Sequence, residues 1–175
     1  MTAGDDADRA ILVAFGANLP SAAGPPVATL TAVIAGLARA AVTVRLASRP
    51  HRSRAWPPSD QPDFVNAVLR VDAARDPAAL LDVLLAIERE LGRVRAARDA
   101  ARGCDLDLLA HCRTVCDGPV LTLPHPRMIS RRFVLAPLVE ILPDWRHPRD
   151  GRSAREMLAA LGPPTAADDC VPFPP

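Results

Sequence analysis

No tyrosine occurs in this chain of 175 residues, and its aromatic side chains are four phenylalanines and two tryptophans. A sheet that reads RNA stacks bases on the aromatic side chains it displays, so this composition argues against such a module. An excess of one charge is missing as well. The 21 basic and 20 acidic residues leave a formal net charge of +1, which gives no global field to draw the protein to nucleic acid or an anionic membrane. Four cysteines, Cys104, Cys112, Cys116 and Cys170, form no Cys-x-x-Cys pair, so neither a zinc site nor a redox motif is read. Cys104 and Cys112, with His111 between them, are not read as a ligand set; the two thiols are taken as small buried strand residues. Free thiols suit a reducing cytoplasm. Although 49% of residues are hydrophobic, Arg39, Arg45 and other charges cut the apolar segments short of a spanning length, and no charged segment followed by an apolar one begins at Met1.

What is present fits one domain with enough material for a core. Residues 1–9 read as a loose N-terminus, 10–162 as one domain, and 163–175 as a proline-rich tail. The apolar run from Ala10 to Gly16 predicts a buried strand that turns at Gly16–Pro20. Val27, Leu30, Ile34 and Leu37 recur at helical spacing behind Pro25 and Pro26, which predicts an amphipathic helix to about Ala40. Val42, Val44 and Leu46 alternate with Thr43 and Arg45 in a second strand. Residues 48–63 carry Pro50, Pro57, Pro58 and Pro62 with Arg49, Arg52, Arg54 and Trp56, and read as a long loop, a substrate lid. Phe64 to Val71 returns to strand character with Phe64, Asn66 and Val68 on one face; Asn66 is either a core hydrogen-bond fixture or a reader of ligand. Asp76 and Pro77 open a second helix as N-cap and first residue, Leu80, Leu84, Ile87 and Leu91 supply its buried stripe, and Gly92 ends it.

The stretch from Gly92 to Leu109 carries the chemistry. An arginine-rich loop with Arg93, Arg98 and Arg102 leads into a strand where Asp105 and Asp107 alternate with Leu106 and Leu108, so both carboxylates face one way. With their Cα atoms roughly 6.5–7 Å apart along the strand, they can hold one hard cation or two, as Mg²⁺ is held by one or two carboxylates and substrate phosphates. An Asp-x-Asp pair by itself is commonly the wet face of a strand. Here the arginines supply bidentate donors for phosphate beside it, the two halves of a nucleotide clamp. Further on, a short strand is predicted at Val120–Leu123. His125, between two prolines, begins a second wall with Arg131 and Phe133. The rest, with Pro143–Pro148 and a short helix near Ser153–Leu161, reads as peripheral. The element order is βαββαβ, an α+β, ferredoxin-like core with a mainly antiparallel sheet, helices on it, and C-terminal additions.

The segment from Arg98 to Leu109 resembles the signature of the 6-hydroxymethyl-7,8-dihydropterin pyrophosphokinase family. The likeness continues at Phe15–Leu19, Asp60–Ala67, Ile87–Glu88, Leu91–Arg93, Leu123–Arg127, Arg131 and Phe133–Leu138. The resemblance implies transfer of diphosphate from ATP to the pterin hydroxymethyl oxygen with release of AMP, in folate biosynthesis. It implies two Mg²⁺ on Asp105 and Asp107; ATP phosphates on Arg93, Arg98, Arg102, His125 and Arg131; and pterin between Phe64 and Phe133, with Asn66, Ser53 and Trp56 completing the pocket. Arg93, Arg102 and Asp107 are the implied catalytic residues. The family has Pro and Thr where this chain has Ala101 and Gly103, which predicts a more flexible loop, and Trp56-Pro57-Pro58 replaces its usual glycine. An active, monomeric, cytoplasmic enzyme is expected. A degenerate paralogue that binds nucleotide without turnover, and a ferredoxin-like RNA-binding module, are the alternatives.

Overall fold

The structure, a computed structural model, describes residues 9–93, 101–165 and 168–173. Among these residues six strands form one sheet in which every pairing is antiparallel: β1 (Ile11–Ala17), β2 (Thr43–Ala47), β3 (His51–Ser53), β4 (Phe64–Asp72), β5 (Asp105–His111) and β8 (Cys170–Pro172), in the order β5-β1-β4-β3-β8, with β2 also on β4. β2 pairs with β4 at Leu69–Asp72 and β3 at Phe64–Asn66, so the two run along β4 as one broken strand. A separate hairpin joins β6 (Cys116–Asp117) and β7 (Thr122–Leu123).

Helices α1 (Pro26–Arg39) and α2 (Pro77–Glu90) cover one face of the sheet. Ile11, Val13 and Phe15 of β1, Leu69 and Val71 of β4, and Leu106 and Leu108 of β5 meet Leu37, Leu80 and Leu84 there. Each fully buried leucine of this kind contributes about 1.5–3 kcal/mol. Both helices end in the same way, with the residue after the C-cap in the left-handed region: Ala41 at φ 56° and Gly92 at φ 85°. In α1 the Val42 N–H donates to Leu37 O, and in α2 the Arg93 N–H donates to Glu88 O, the six-to-one bond of a Schellman ending.

On the other face lie α3 (Arg132–Ile141) and α4 (Ala154–Ala160), over Leu12, Ala14, Val68 and Leu109. Three readings of the sequence are corrected here. The stretch 48–63 is not all loop: its residues 51–53, free of proline, form β3, and the loop proper follows. The segment after His125, to which the sequence reading assigned no regular structure, holds α3, which starts at Arg132 and carries Pro137 inside it; an interior proline is what hid this helix. Nor are the C-terminal pieces peripheral. Trp145, Ala154 and Met157 are buried in the second core, and β8 pairs with β3. The predicted alternation of β2 also breaks, since the register slips between Val44 and Leu46 and leaves Leu46 exposed. No helix among the described residues is long and apolar enough to cross a membrane.

Candidate active site

β1 alternates cleanly, so while Phe15 and Ala17 face α1 and α2, Gly16 faces the other way. Asn66 stands opposite Gly16 on β4, Asp105 opposite it on β5, and His51 opposite Asn66 on β3. Asp107 lies in the next row, across from Ala14. Opposite residues of an antiparallel pair share a face. The floor therefore runs His51, Asn66, Gly16, Asp105, and the missing side chain of Gly16 leaves a hollow between amide and carboxylate. A Cβ there would lie 3.4 Å from Asn66 Oδ1.

Each carboxylate is met by two basic side chains. Arg93 Nη1 lies 2.7 Å from Asp105 Oδ1, and Arg102 Nη1 lies 2.8 Å from Asp105 Oδ2. Arg131 Nη1 and His125 Nε2 approach Asp107 Oδ2 at 3.6 and 3.9 Å. The Arg131 guanidinium also lies 5.5 Å from the centre of the Phe133 ring, a cation–π contact. Burial, and then the neighbouring Asp107, push the Asp105 carboxyl above its ordinary value, against the pull of Arg102 and Arg93. Burial draws His125 below its ordinary value although Asp107 opposes it.

The pterin-side residues of the resemblance fall along the same face. Ser53 pairs with Phe64 across β3 and β4, and the Asn66 amide donates from Nδ2 to Ser53 Oγ at 2.9 Å. Thus Asn66, 5% exposed, is a hydrogen-bond fixture through its nitrogen while its oxygen overhangs the Gly16 hollow. Trp56, 51% exposed, stands on the loop after β3. Arg98 lies outside the described residues.

Two residues to which sequence reading gave no role hold this arrangement. Glu88, 2% exposed, accepts the Leu106 N–H at 2.7 Å and pairs with Arg93. Burial raises its carboxyl above the usual range, offset by Leu106 N–H and Arg93. Burial works to lower the Arg93 guanidinium, yet Asp105 and Glu88 outweigh it and hold it above its ordinary value. Asn18, also 5% exposed, accepts the Arg102 N–H at 2.8 Å and donates to Gln61 Oε1 and Pro62 O, both at 3.1 Å. Its own N–H donates to Arg102 O at 3.0 Å. A buried amide fixing three segments at once has one signal in the sequence, an asparagine in an apolar turn.

The family model for 7,8-dihydro-6-hydroxymethylpterin-pyrophosphokinase (HPPK) matches residues 12–143. The chain belongs to this family. It is 39% identical over 148 residues to the 2-amino-4-hydroxy-6-hydroxymethyldihydropteridine pyrophosphokinase of Synechocystis sp., covering 84% of this chain and 73% of the relative. It is 42% identical over 151 residues to the Pseudomonas aeruginosa protein of the same name, covering 86% and 90%. A solved HPPK-DHPS in complex with substrates superposes with a TM-score of 0.64 at 12% identity over 87% of this chain. That likeness speaks to the fold alone, and this chain spans only 45% of that one.

Within this HPPK chain the glycine at 103 does not loosen its surroundings. A Cβ on Gly103 would lie 2.9 Å from Pro20 O and 3.2 Å from Ser21 Cα, so the backbone after Arg102 is pressed against the turn that follows β1. Arg102 is fastened there too, its carbonyl accepting the Asn18 and Leu19 N–H groups and its own N–H donating to Asn18 Oδ1. Cys104 is buried and its thiol is pushed up to about 12, chiefly by burial. It is an inert space-filler.

Proposed function

We propose that this chain transfers diphosphate from ATP to the hydroxymethyl oxygen of 6-hydroxymethyl-7,8-dihydropterin, releasing AMP, as a step in folate biosynthesis. The observation that carries the proposal is the pair of carboxylates on one sheet face, each flanked by two basic side chains, with the buried Asn66 amide across Gly16. In the proposed reaction the hydroxymethyl oxygen bonds to the β-phosphorus of ATP, the bond from that phosphorus to the oxygen bridging α and β breaks, and AMP leaves with the electron pair. The hydroxyl proton passes to Asp107 or to water. Such a transfer needs in-line positioning and charge stabilisation above all.

Asp105 and Asp107 suit magnesium by their chemistry. They are hard oxygen donors on one face, and among the described residues no group of three His, Cys, Asp or Glu gathers into an all-protein cage, the donor set this cation takes when phosphates complete its shell. Two magnesium ions, when bound there, neutralise phosphate charge. The chain's own contribution is guanidinium. All 21 basic side chains are arginine; Arg93 and Arg102, now on Asp105, turn to the phosphates as ATP arrives and shield the attacked centre from water. Arg98, His125 and Arg131 complete the phosphate set. Phe64 and Phe133 flank the pterin, Asn66 reads its polar edge, and the backbone at Ser53 and Trp56 closes the pocket.

The sheet order, with the fourth, first, third and second core strands side by side, supports a ferredoxin-like reading of the fold. We take the enzyme to act as a cytoplasmic monomer. Incubation with ATP, Mg²⁺ and the pterin alcohol should yield AMP and the pterin diphosphate in equal amounts. Production of ADP, or no nucleotide product, would overturn the proposal.

A further inference from the structure

The residues after α4 lie outside the proposed chemistry, yet they touch two of its parts. Arg132 opens α3 between Arg131 and Phe133, and is itself 8% exposed. Its Nε–H donates to Asp168 Oδ2 at 3.2 Å and its Nη2 donates to Gly162 O at 2.6 Å. The other oxygen of Asp168 accepts from the Thr165 N–H at 2.7 Å and the Thr165 hydroxyl at 2.6 Å. Two residues beyond Asp168 the chain enters β8, where Cys170 stands opposite Ser53, Val171 opposite Arg52 and Pro172 opposite His51. The Phe173 N–H then donates to Pro50 O at 2.7 Å. A cavity of about 270 Å³ opens at this seam, lined by Arg52, Ser53, Arg54, Asp63, Asp169 and Val171.

Six residues, Asp168 to Phe173, thus fasten the start of the helix that carries Phe133 and the far edge of the strand that carries Ser53. β3 is three residues long and is followed by a ten-residue loop, 54–63. Without β8 it would be a short edge strand with one paired side, and the buried Arg132 guanidinium would lose its carboxylate. We infer that the C-terminal segment is a brace that positions both walls of the pterin pocket, with Asp168 and Arg132 as its positioning residues. The inference rests on the proposed pterin site. Its reach is one-sided, because Arg93 and Arg102 sit at the opposite edge of the sheet, paired with Asp105 of β5, and are held by Glu88 and Asn18.

The test is steady-state kinetics of the full chain, with pterin binding followed independently by the fluorescence of the pterin itself. Asp168→Ala should raise the KM and Kd for pterin about tenfold or more, the scale of loss when a binding wall is misplaced, with KM for ATP within about threefold. Asp168→Glu should restore most of the affinity. Equal changes in both KM values, or none, in a wild type that turns over would overturn the brace and leave the pyrophosphokinase reading standing. A wild type that binds pterin but yields no AMP would sink that reading alone, and the Kd of the variant would still decide the brace. A wild type that neither binds pterin nor yields AMP would remove both.

Discussion

The two faces of the sheet are built from the same strands and do opposite things. Toward α1 and α2 every position of β1 that faces the helices is apolar, and β4 and β5 answer with Leu69, Val71, Leu106 and Leu108. The reverse face begins in the same style under α3 and α4, with Leu12, Ala14, Val68 and Leu109, then changes to Gly16, Asn66, Asp105 and Asp107 past the covered part. One register sets both. Because side chains alternate along a strand, Asp107 stands between Leu106 and Leu108 and Asp105 between Cys104 and Leu106, neighbours whose side chains are buried in the apolar core beneath. The lesson is that a rigid apolar face fixes the geometry of a polar one only a peptide unit away.

Substitutions should separate the two faces, and the largest effect belongs to the polar one. Asp107→Ala should cut turnover about 10³-fold or more by removing a metal ligand, with the thermal midpoint almost unchanged; a fall of turnover that only tracks loss of folded protein would break the contrast. On the opposite face Leu84→Ala should lower the unfolding free energy by about 2–5 kcal/mol and leave kcat per folded molecule intact, as urea unfolding and active-site titration would show. Arg102→Ala should reduce kcat about 10²-fold while ATP affinity changes much less. Equal losses in kcat and affinity would speak against an action confined to the transition state.

Finer tests address the scaffolding around each face. The Asp168 carboxyl is held down to about 2, first by the Thr165 hydroxyl and N–H and also by Arg132. Folding therefore favours its ionised form, and the stability this supplies is present above its ordinary value of 3.8 and disappears as pH falls through about 2. The difference in unfolding free energy between wild type and Asp168→Asn should accordingly be flat near neutrality and close across that acid window, read by chemical denaturation at a series of pH values. Smallest of all, Ala41→Gly should stabilise the protein by about 0.5–1 kcal/mol, since glycine adopts the left-handed conformation after α1 without a Cβ penalty. A loss of stability there would mean that the alanine methyl is held by packing.

Much of this was legible in the chain itself. The strand at Asp105, the two helices beneath it and the Asp76 cap are local patterns, and the cap forms as expected, with the Ala79 N–H donating to Asp76 Oδ1 at 2.9 Å. The shared direction of Asp105 and Asp107 follows from period two. What escaped were consequences of distant contact. β3 exists because β4 and β8 lie on either side of it, and three residues behind Pro50 carry no periodic signal. Glu88 reads as an ordinary polar residue on a helix until Leu106 N–H and Arg93 close around it. Gly103 reads as slack by its type and proves to be a point of close approach, a distinction that only the position of Pro20 makes.

The ending of α2 has one more consequence. Glu88 and Arg93 are joined across a single left-handed glycine, so both take their bearing from how many residues lie between Pro77 and Gly92. Each residue of an α-helix turns the chain by about 100°. Adding or deleting one anywhere along this span would swing the carboxylate and the guanidinium away from β5 together. The length of the helix is thus a gauge that the proposed catalytic apparatus reads, and natural variation should tolerate many changes of identity there but no change in count.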